Sequence, residues 1–121
     1  MNNLKNRTKQ FALDCWFFCK EIPYSREYNA FANQLIRCSS SVGANYRASQ
    51  RAKSTADFIN KLKIVEEEAD ESMYFLELFM EIMKDKDIGT AQNLHREAEE
   101  ILAITVASIN TARRKQQNKK T

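Results

Sequence analysis

Arg47, Arg51, Lys53, Lys61 and Lys63 crowd one stretch of the chain, with Asp57 the lone acid among them. Cations gathered this way meet the phosphate oxygens of a polyanion and release its counterions. Directly before them, Ser39 to Asn45 reads SSSVGAN, a run of small side chains suited to close helix packing. Other candidates for chemistry are thinner. Cys15 and Cys19 lie one helical turn apart, but a zinc site needs further ligands and the one histidine, His95, is distant. The thiols therefore read as small buried apolar groups. Glu66, Glu67, Glu68, Asp70 and Glu71 form an acidic block. Carboxylate di-iron bundles pair a glutamate with a histidine three residues on, which this chain lacks, and consecutive glutamates point around a helix. The block reads as a solvated face, with Glu67 and Asp70 free to meet bases of a neighbour. His95 has no nucleophile or acid at suggestive spacing and is expected to be exposed. No nucleophile–base pair, phosphate-cradling glycine loop or metal-ligand set is written here, so neither an enzyme nor a cofactor is expected.

The elements that position these residues must be helices. Two glycines and one proline in 121 residues leave almost no material for the turns of a β fold. That length suits one domain spanning 1–121. The longest apolar run, Cys15 to Cys19, cannot cross a membrane, and no signal-peptide pattern opens the chain. A soluble cytoplasmic protein without disulfides is the expectation.

Leu4, Phe11, Cys15, Phe18 and Ile22 recur at helical spacing and predict a first helix over about 3–21. Pro23 ends it, and Ser25 is placed to cap the next. Tyr28, Phe31, Leu35, Cys38, Val42 and Asn45 form the seam of a second helix over about 26–48. Gly43 and its serine neighbours weaken a helix unless a close approach needs them, so Gly43 is assigned a packing role. Asn45, polar in an apolar row, is assigned a structural role with buried hydrogen-bond partners or a register-setting contact. Ser54 caps a third helix over about 55–86, whose seam runs Phe58, Leu62, Val65, Ala69, Ser72, Leu76, Phe79 and Met83. Met73, Phe75, Leu78, Met80 and Ile82 widen its apolar surface, which predicts subunit packing. After Gly89, with Thr90 as cap, a fourth helix runs over about 91–113 on Ala91, Leu94, Ala98, Ile101, Thr105, Ser108 and Ala112. The basic tail 114–121 is expected to fray.

Four such helices with short connections predict an all-α, antiparallel up-down-up-down bundle. That topology brings both termini and the loop between helices two and three to one end. Thirteen of the nineteen Lys and Arg residues fall there, against Asp57 alone. They are Lys5, Arg7, Lys9, Arg47, Arg51, Lys53, Lys61, Lys63, Arg113, Arg114, Lys115, Lys119 and Lys120. The net charge of +3 thus conceals a basic pole. Such a pole attracts RNA or DNA through salt-dependent, sequence-indifferent contacts. The candidate nucleic-acid-binding residues are Arg47, Arg51, Lys53, Lys61, Lys63, Arg113, Arg114 and Lys115. The alternative is a protein-interaction scaffold or accessory subunit with no nucleic-acid role.

With the helices placed, the motifs show a likeness. Gln34-Leu35-Ile36-Arg37, Ser41-Val42-Gly43-Ala44-Asn45-Tyr46-Arg47 and Ala56-Asp57-Phe58-Ile59-Asn60-Lys61-Leu62 are followed by Val65 to Ser72, Glu99-Glu100-Ile101-Leu102 and Ala107-Ser108-Ile109. In this order the chain resembles the bacterial four-helix-bundle proteins related to those encoded in 23S ribosomal RNA intervening sequences. Many members carry Ile-Ala-Glu-Gly after the asparagine, where this chain has Tyr46-Arg47-Ala48-Ser49. The resemblance implies a ring-forming homo-oligomer, commonly a homopentamer, with no established enzymatic activity. It also implies similarity to the accessory protein of diversity-generating retroelements, a basic pentamer that binds nucleic acid and a reverse transcriptase.

Overall fold

The structure is a computed structural model that describes residues 3–119 in full and the backbone of Lys120. Four α-helices account for nearly all of it: α1 (Leu4–Glu21), α2 (Arg26–Ser49), α3 (Thr55–Ile82) and α4 (Gly89–Lys120). No strand occurs among the described residues, and no helix is long and apolar enough to cross a membrane.

Local chemistry sets each boundary. Ile22 turns to an extended conformation before Pro23, whose ring excludes helical geometry there, and α1 stops. The Tyr28 N–H donates to Ser25 Oγ at 3.1 Å, and the Asp57 N–H donates to Ser54 Oγ at 3.0 Å. Each serine satisfies an amide that the first helical turn leaves unpaired. The serines inside α2 return their hydroxyls to the helix: Ser39 and Ser40 both donate to the Ile36 carbonyl, at 3.3 and 2.6 Å.

Three boundaries correct the sequence reading. α3 ends at Ile82, short of residue 86, because Lys84 to Asp87 are all exposed and have no packing to hold them helical. α4 starts at Gly89 without Thr90 as its cap; the Gly89 N–H donates to Asp87 Oδ1 at 2.9 Å and the Gln92 N–H to the Ile88 carbonyl at 2.9 Å. The tail expected to fray continues α4 as far as Lys120. Alanine, arginine, lysine and glutamine are strong helix formers, and cations near a helix C-terminus complement its dipole. Thr121 lies outside the described residues.

The helices pack as a bundle in which α3 makes the widest contact, against both α2 and α4. α1 packs on α2 and meets α4 more sparingly. Leu35, Cys38 and Val42 of α2 meet Leu62, Val65, Ala69, Leu76 and Phe79 of α3 in a core without solvent, joined by Ile101 and Ala98 of α4 and Phe11 and Cys15 of α1. An aromatic cluster forms where Phe79 touches Phe18, Tyr28 and Phe31, with ring centroids 5.5, 6.4 and 6.3 Å away.

Gly43 of α2 lies against Thr8 of α1. A methyl group there would lie 3.3 Å from Thr8 Oγ1 and 3.5 Å from the Thr8 backbone. Asn45 is half-buried, and its amide donates to the carbonyl and hydroxyl of Ser41 one turn back, each at 2.9 Å. Its visible partners are therefore on its own helix. The apolar margin of α3 is largely absorbed internally, since Met73, Phe75 and Met80 pack against the core. Of the residues expected to widen that face, Ile82 is exposed, as is its neighbour Tyr74. A further apolar surface lies on α1, where Leu13, Trp16 and Phe17 are 43%, 47% and 54% exposed.

Candidate nucleic-acid interface

The loop between α2 and α3 is short because both helices run to its edges. Its backbone turns back on the end of α2: the Arg51 and Ala52 N–H groups donate to the carbonyls of Ala48 and Ser49 at 3.1 and 3.2 Å. Ser49 is buried beneath it and donates to the Tyr46 carbonyl at 2.6 Å. Arg47, Arg51 and Lys53 are exposed around this turn.

Across from the loop runs the second half of α4. The α4 residues facing the start of α3 there include Ala107, Ser108, Thr111 and Ala112, whose small side chains leave a space beside it. The result is a groove of about 1170 Å³, walled by Lys53, Ser54, Thr55 and Phe58 on one side and by Ala107, Ser108, Thr111, Ala112, Lys115 and Lys119 on the other. Among the described residues three lysines line it and no carboxylate does. The nearest acid, Asp57, turns its Oδ2 toward the Lys53 backbone N–H at 3.4 Å.

Of the eight residues expected to bind nucleic acid, Lys53 and Lys115 line this groove together. Arg47 and Arg51 are exposed beside its loop wall, and Arg113 and Arg114 are exposed on α4 next to Lys115. Arg114 Nη2 donates to Thr111 Oγ1, itself a lining residue, at 3.3 Å. Lys61 and Lys63 are further along α3, half-buried and exposed respectively, and do not line the groove. Arg7, counted into the basic pole, is spent: it donates to both Glu97 oxygens, at 3.0 and 2.6 Å, and to Glu100 at 2.8 Å. The hydrogen bond to Glu97 leads the causes that raise its pKa further above the ordinary arginine value.

Sequence reasoning missed the groove itself. Phe58, Ser108 and Ala112 were read as seam positions that close a core. The signal is faint, since Ala112 is buried in the core and Phe58 packs against it even as both line the groove.

The remaining candidates settle into structural roles. Arg37 pairs with Glu68 at 3.0 Å and with Glu71, so two members of the acidic block hold α3 against α2. Glu67 and Asp70 stay exposed. His95, expected in the open, is half-buried with Nε2 at 2.8 Å from Glu77 Oε2. Burial pushes the Cys19 thiol up to about 12, and Cys15 and Cys38 shift the same way for the same reason. At neutral pH none of them is a thiolate, the reactive form.

A family model described as 23S rRNA-intervening sequence protein matches residues 2–107. The chain belongs to that family. A solved structure is similar: a protein of unknown function from the S23 ribosomal protein family of Bacteroides thetaiotaomicron VPI-5482, 30% identical, with a TM-score of 0.79. The likeness covers 87% of this chain and 96% of that one. No match was found among curated proteins. The 23S rRNA-intervening sequence match takes in the whole loop wall of the groove and ends at Ala107, so Ser108 to Lys119 of the α4 wall lie beyond it.

Proposed function

We propose that this chain is a non-enzymatic, self-associating bundle protein of the cytoplasm whose basic end binds RNA or DNA with little regard to sequence. The observation that carries the reading is the groove lined by Lys53, Lys115 and Lys119 without an opposing acid, with Arg47, Arg51, Arg113 and Arg114 exposed near its walls. Uncompensated cations around a concavity focus positive potential, and phosphate backbone answers it.

An antiparallel up-down-up-down course supports that reading. Cys19 approaches Ala32 while Thr8 lies against Gly43; Tyr28 stacks on Phe79 while Cys38 meets Ser72; Glu77 meets His95 while Phe58 shares a groove with Ala112. In every pair one helix ascends as its neighbour descends. Self-association, into a homopentameric ring by family resemblance, rests on the exposed Leu13, Trp16 and Phe17 of α1. The likeness to the accessory protein of diversity-generating retroelements belongs to the same proposal.

The test is Arg47→Glu, Arg51→Glu and Lys53→Glu combined, with binding to a labelled RNA and DNA followed as salt rises. The wild type should bind in a steeply salt-dependent way and the triple variant should not. Equal binding by both defeats the reading. The apolar α1 face favours a second reading, a scaffold for another protein. A pull-down indifferent to nuclease and to those reversals, but lost in Trp16→Glu, would select it.

A further inference from the structure

We infer that the groove takes single-stranded rather than duplex nucleic acid, laying a base against Phe58 while Lys53, Lys115 and Lys119 meet the flanking phosphates. The inference rests on the nucleic-acid reading above and gives it a substrate class.

Charge alone is indifferent to strandedness, because both forms present phosphates. The groove offers more than charge. Beside its lysines and hydroxyls the lining includes the apolar groups of Phe58, Ile104 and Ala107. A duplex keeps its bases stacked inside and has no flat apolar group to place there. A single strand alternates an unstacked base with a phosphate, which is the pattern of an aromatic floor between cationic rims. Any base has such a face, so recognition stays indifferent to sequence. The phosphate-facing cations also come from two directions, Lys53 from the loop and Lys115 and Lys119 from α4. A chain crossing the groove from loop to helix is held on both sides of the base.

The groove at the other end of the molecule serves as an internal contrast. Lined by Phe17, Phe18 and Ile22, it is apolar too, but Asp14, Glu21 and Asp87 border it and no cation does. An apolar hollow is thus not by itself a nucleic-acid site in this chain. The combination of ring and lysines occurs in the basic groove.

The experiment measures fluorescence anisotropy of the full chain with an oligouridylate and with an RNA duplex of equal length. Phe58→Leu keeps an apolar side chain toward the core but removes the ring, and Ser108→Trp fills the groove without touching a charge. Each should weaken the oligouridylate by about 10-fold, the worth of one stacked base, and leave the duplex within about 2-fold. Circular dichroism confirms the fold, and Ser108→Trp stands alone should Phe58→Leu fail to fold. Equal losses for both ligands, or none for either, overturn the inference. Should Arg47→Glu with Arg51→Glu weaken both ligands while the groove variants change nothing, the basic pole survives and the groove assignment falls. Absence of any binding by the wild type overturns both.

Discussion

Two grooves, at opposite ends of α4, share a shape and differ in everything that decides a ligand. The acidic one, about 510 Å³, is edged by Asp14, Glu21 and Asp87 and floored by Phe17, Phe18, Ile22, Met83 and Leu94. The basic one, about 1170 Å³, is edged by three lysines and floored largely by small residues and one phenylalanine. Ten residues of α4 separate Leu94 from Ile104, about 15 Å along the axis. Beneath the acidic end the aromatic cluster around Phe79 fills the bundle; at the basic end Ile59, Leu62, Ile109 and Ala112 fill it with smaller side chains, and the groove lies over them. Side-chain size therefore distinguishes the two ends, aromatic at one and small or aliphatic at the other. Charge follows the same division.

The sharpest way to break that division is to cut both aromatics. Phe79 is fully buried among three rings, and truncating a buried phenylalanine to alanine costs about 3–5 kcal/mol. Phe58 is half-buried at an open groove. Phe58→Leu should cost about 1 kcal/mol, since it keeps an aliphatic side chain and removes only part of a half-buried ring. Urea unfolding of Phe79→Ala and Phe58→Leu measures both, and comparable losses would mean the basic end is core after all.

Charge reversal at each end is the next largest test. Lys53→Glu, Lys115→Glu and Lys119→Glu together should lower RNA affinity by at least about 10-fold and flatten its salt dependence by about 2 in slope, since each lost phosphate contact on a single strand removes about 0.7. Asp14→Lys, Glu21→Lys and Asp87→Lys should not weaken it. If the acidic-end variant loses binding as much as the basic-end one, the two grooves are not functionally distinct.

How much of this division the sequence carried depends on what each residue does. Seam periodicity finds buried positions well, because burial of Leu35, Leu62, Val65, Leu76 and Ile101 follows from the helical repeat alone. Serine caps were equally legible, since Ser25 and Ser54 act within three residues of themselves. Periodicity places Ala112 in the core and Phe58 against it, as the structure has them, but gives no sign that both also line an open groove beside Ser108. Nor can it pair charges across helices: Arg7 with Glu97, Arg37 with Glu68 and His95 with Glu77 are separated by 90, 31 and 18 residues. The helical tail was missed for a related reason. Its amphipathic signal is weak; Lys115 stands among the candidates for nucleic-acid binding and Lys119 in the basic pole, but neither the helix that carries them nor the groove they line follows from charge alone.

Small residues also act within the packed half, and Gly43 separates the two uses of smallness. At the groove, small side chains leave an open cavity; at Gly43 the missing side chain makes room for Thr8. A methyl group at 3.3 Å from Thr8 Oγ1 needs that hydroxyl to yield slightly, against a gain of about 1 kcal/mol in helix propensity. Gly43→Ala should therefore be nearly neutral in thermal unfolding, whereas Gly43→Val should cost about 1–3 kcal/mol by overpacking. A harmless valine would show that the α1–α2 contact has slack like that of the groove.

Alkaline pH probes the same packing at the finest scale. Cys15 and Cys19 belong to the stretch of α1 that borders the acidic groove, but burial shields their thiols. Cys19 ionises at about 12 in the folded chain against 9.0 without burial, and Cys15 shifts in the same direction. In the unfolded chain both release protons as pH passes about 9, while the folded chain still holds them. Unfolding then yields protons, so stability is unaffected below that pH and falls as pH rises through the interval up to the folded values. The ceiling is about 1.4 kcal/mol per pH unit for each thiol, and the partial exposure of Cys19 lowers its share. Chemical unfolding at about pH 8 and about pH 10 should show a smaller loss in Cys15→Ala with Cys19→Ala than in the wild type. An identical loss would mean that solvent reaches these thiols in the folded chain. The packed end would then be as open as the groove opposite it.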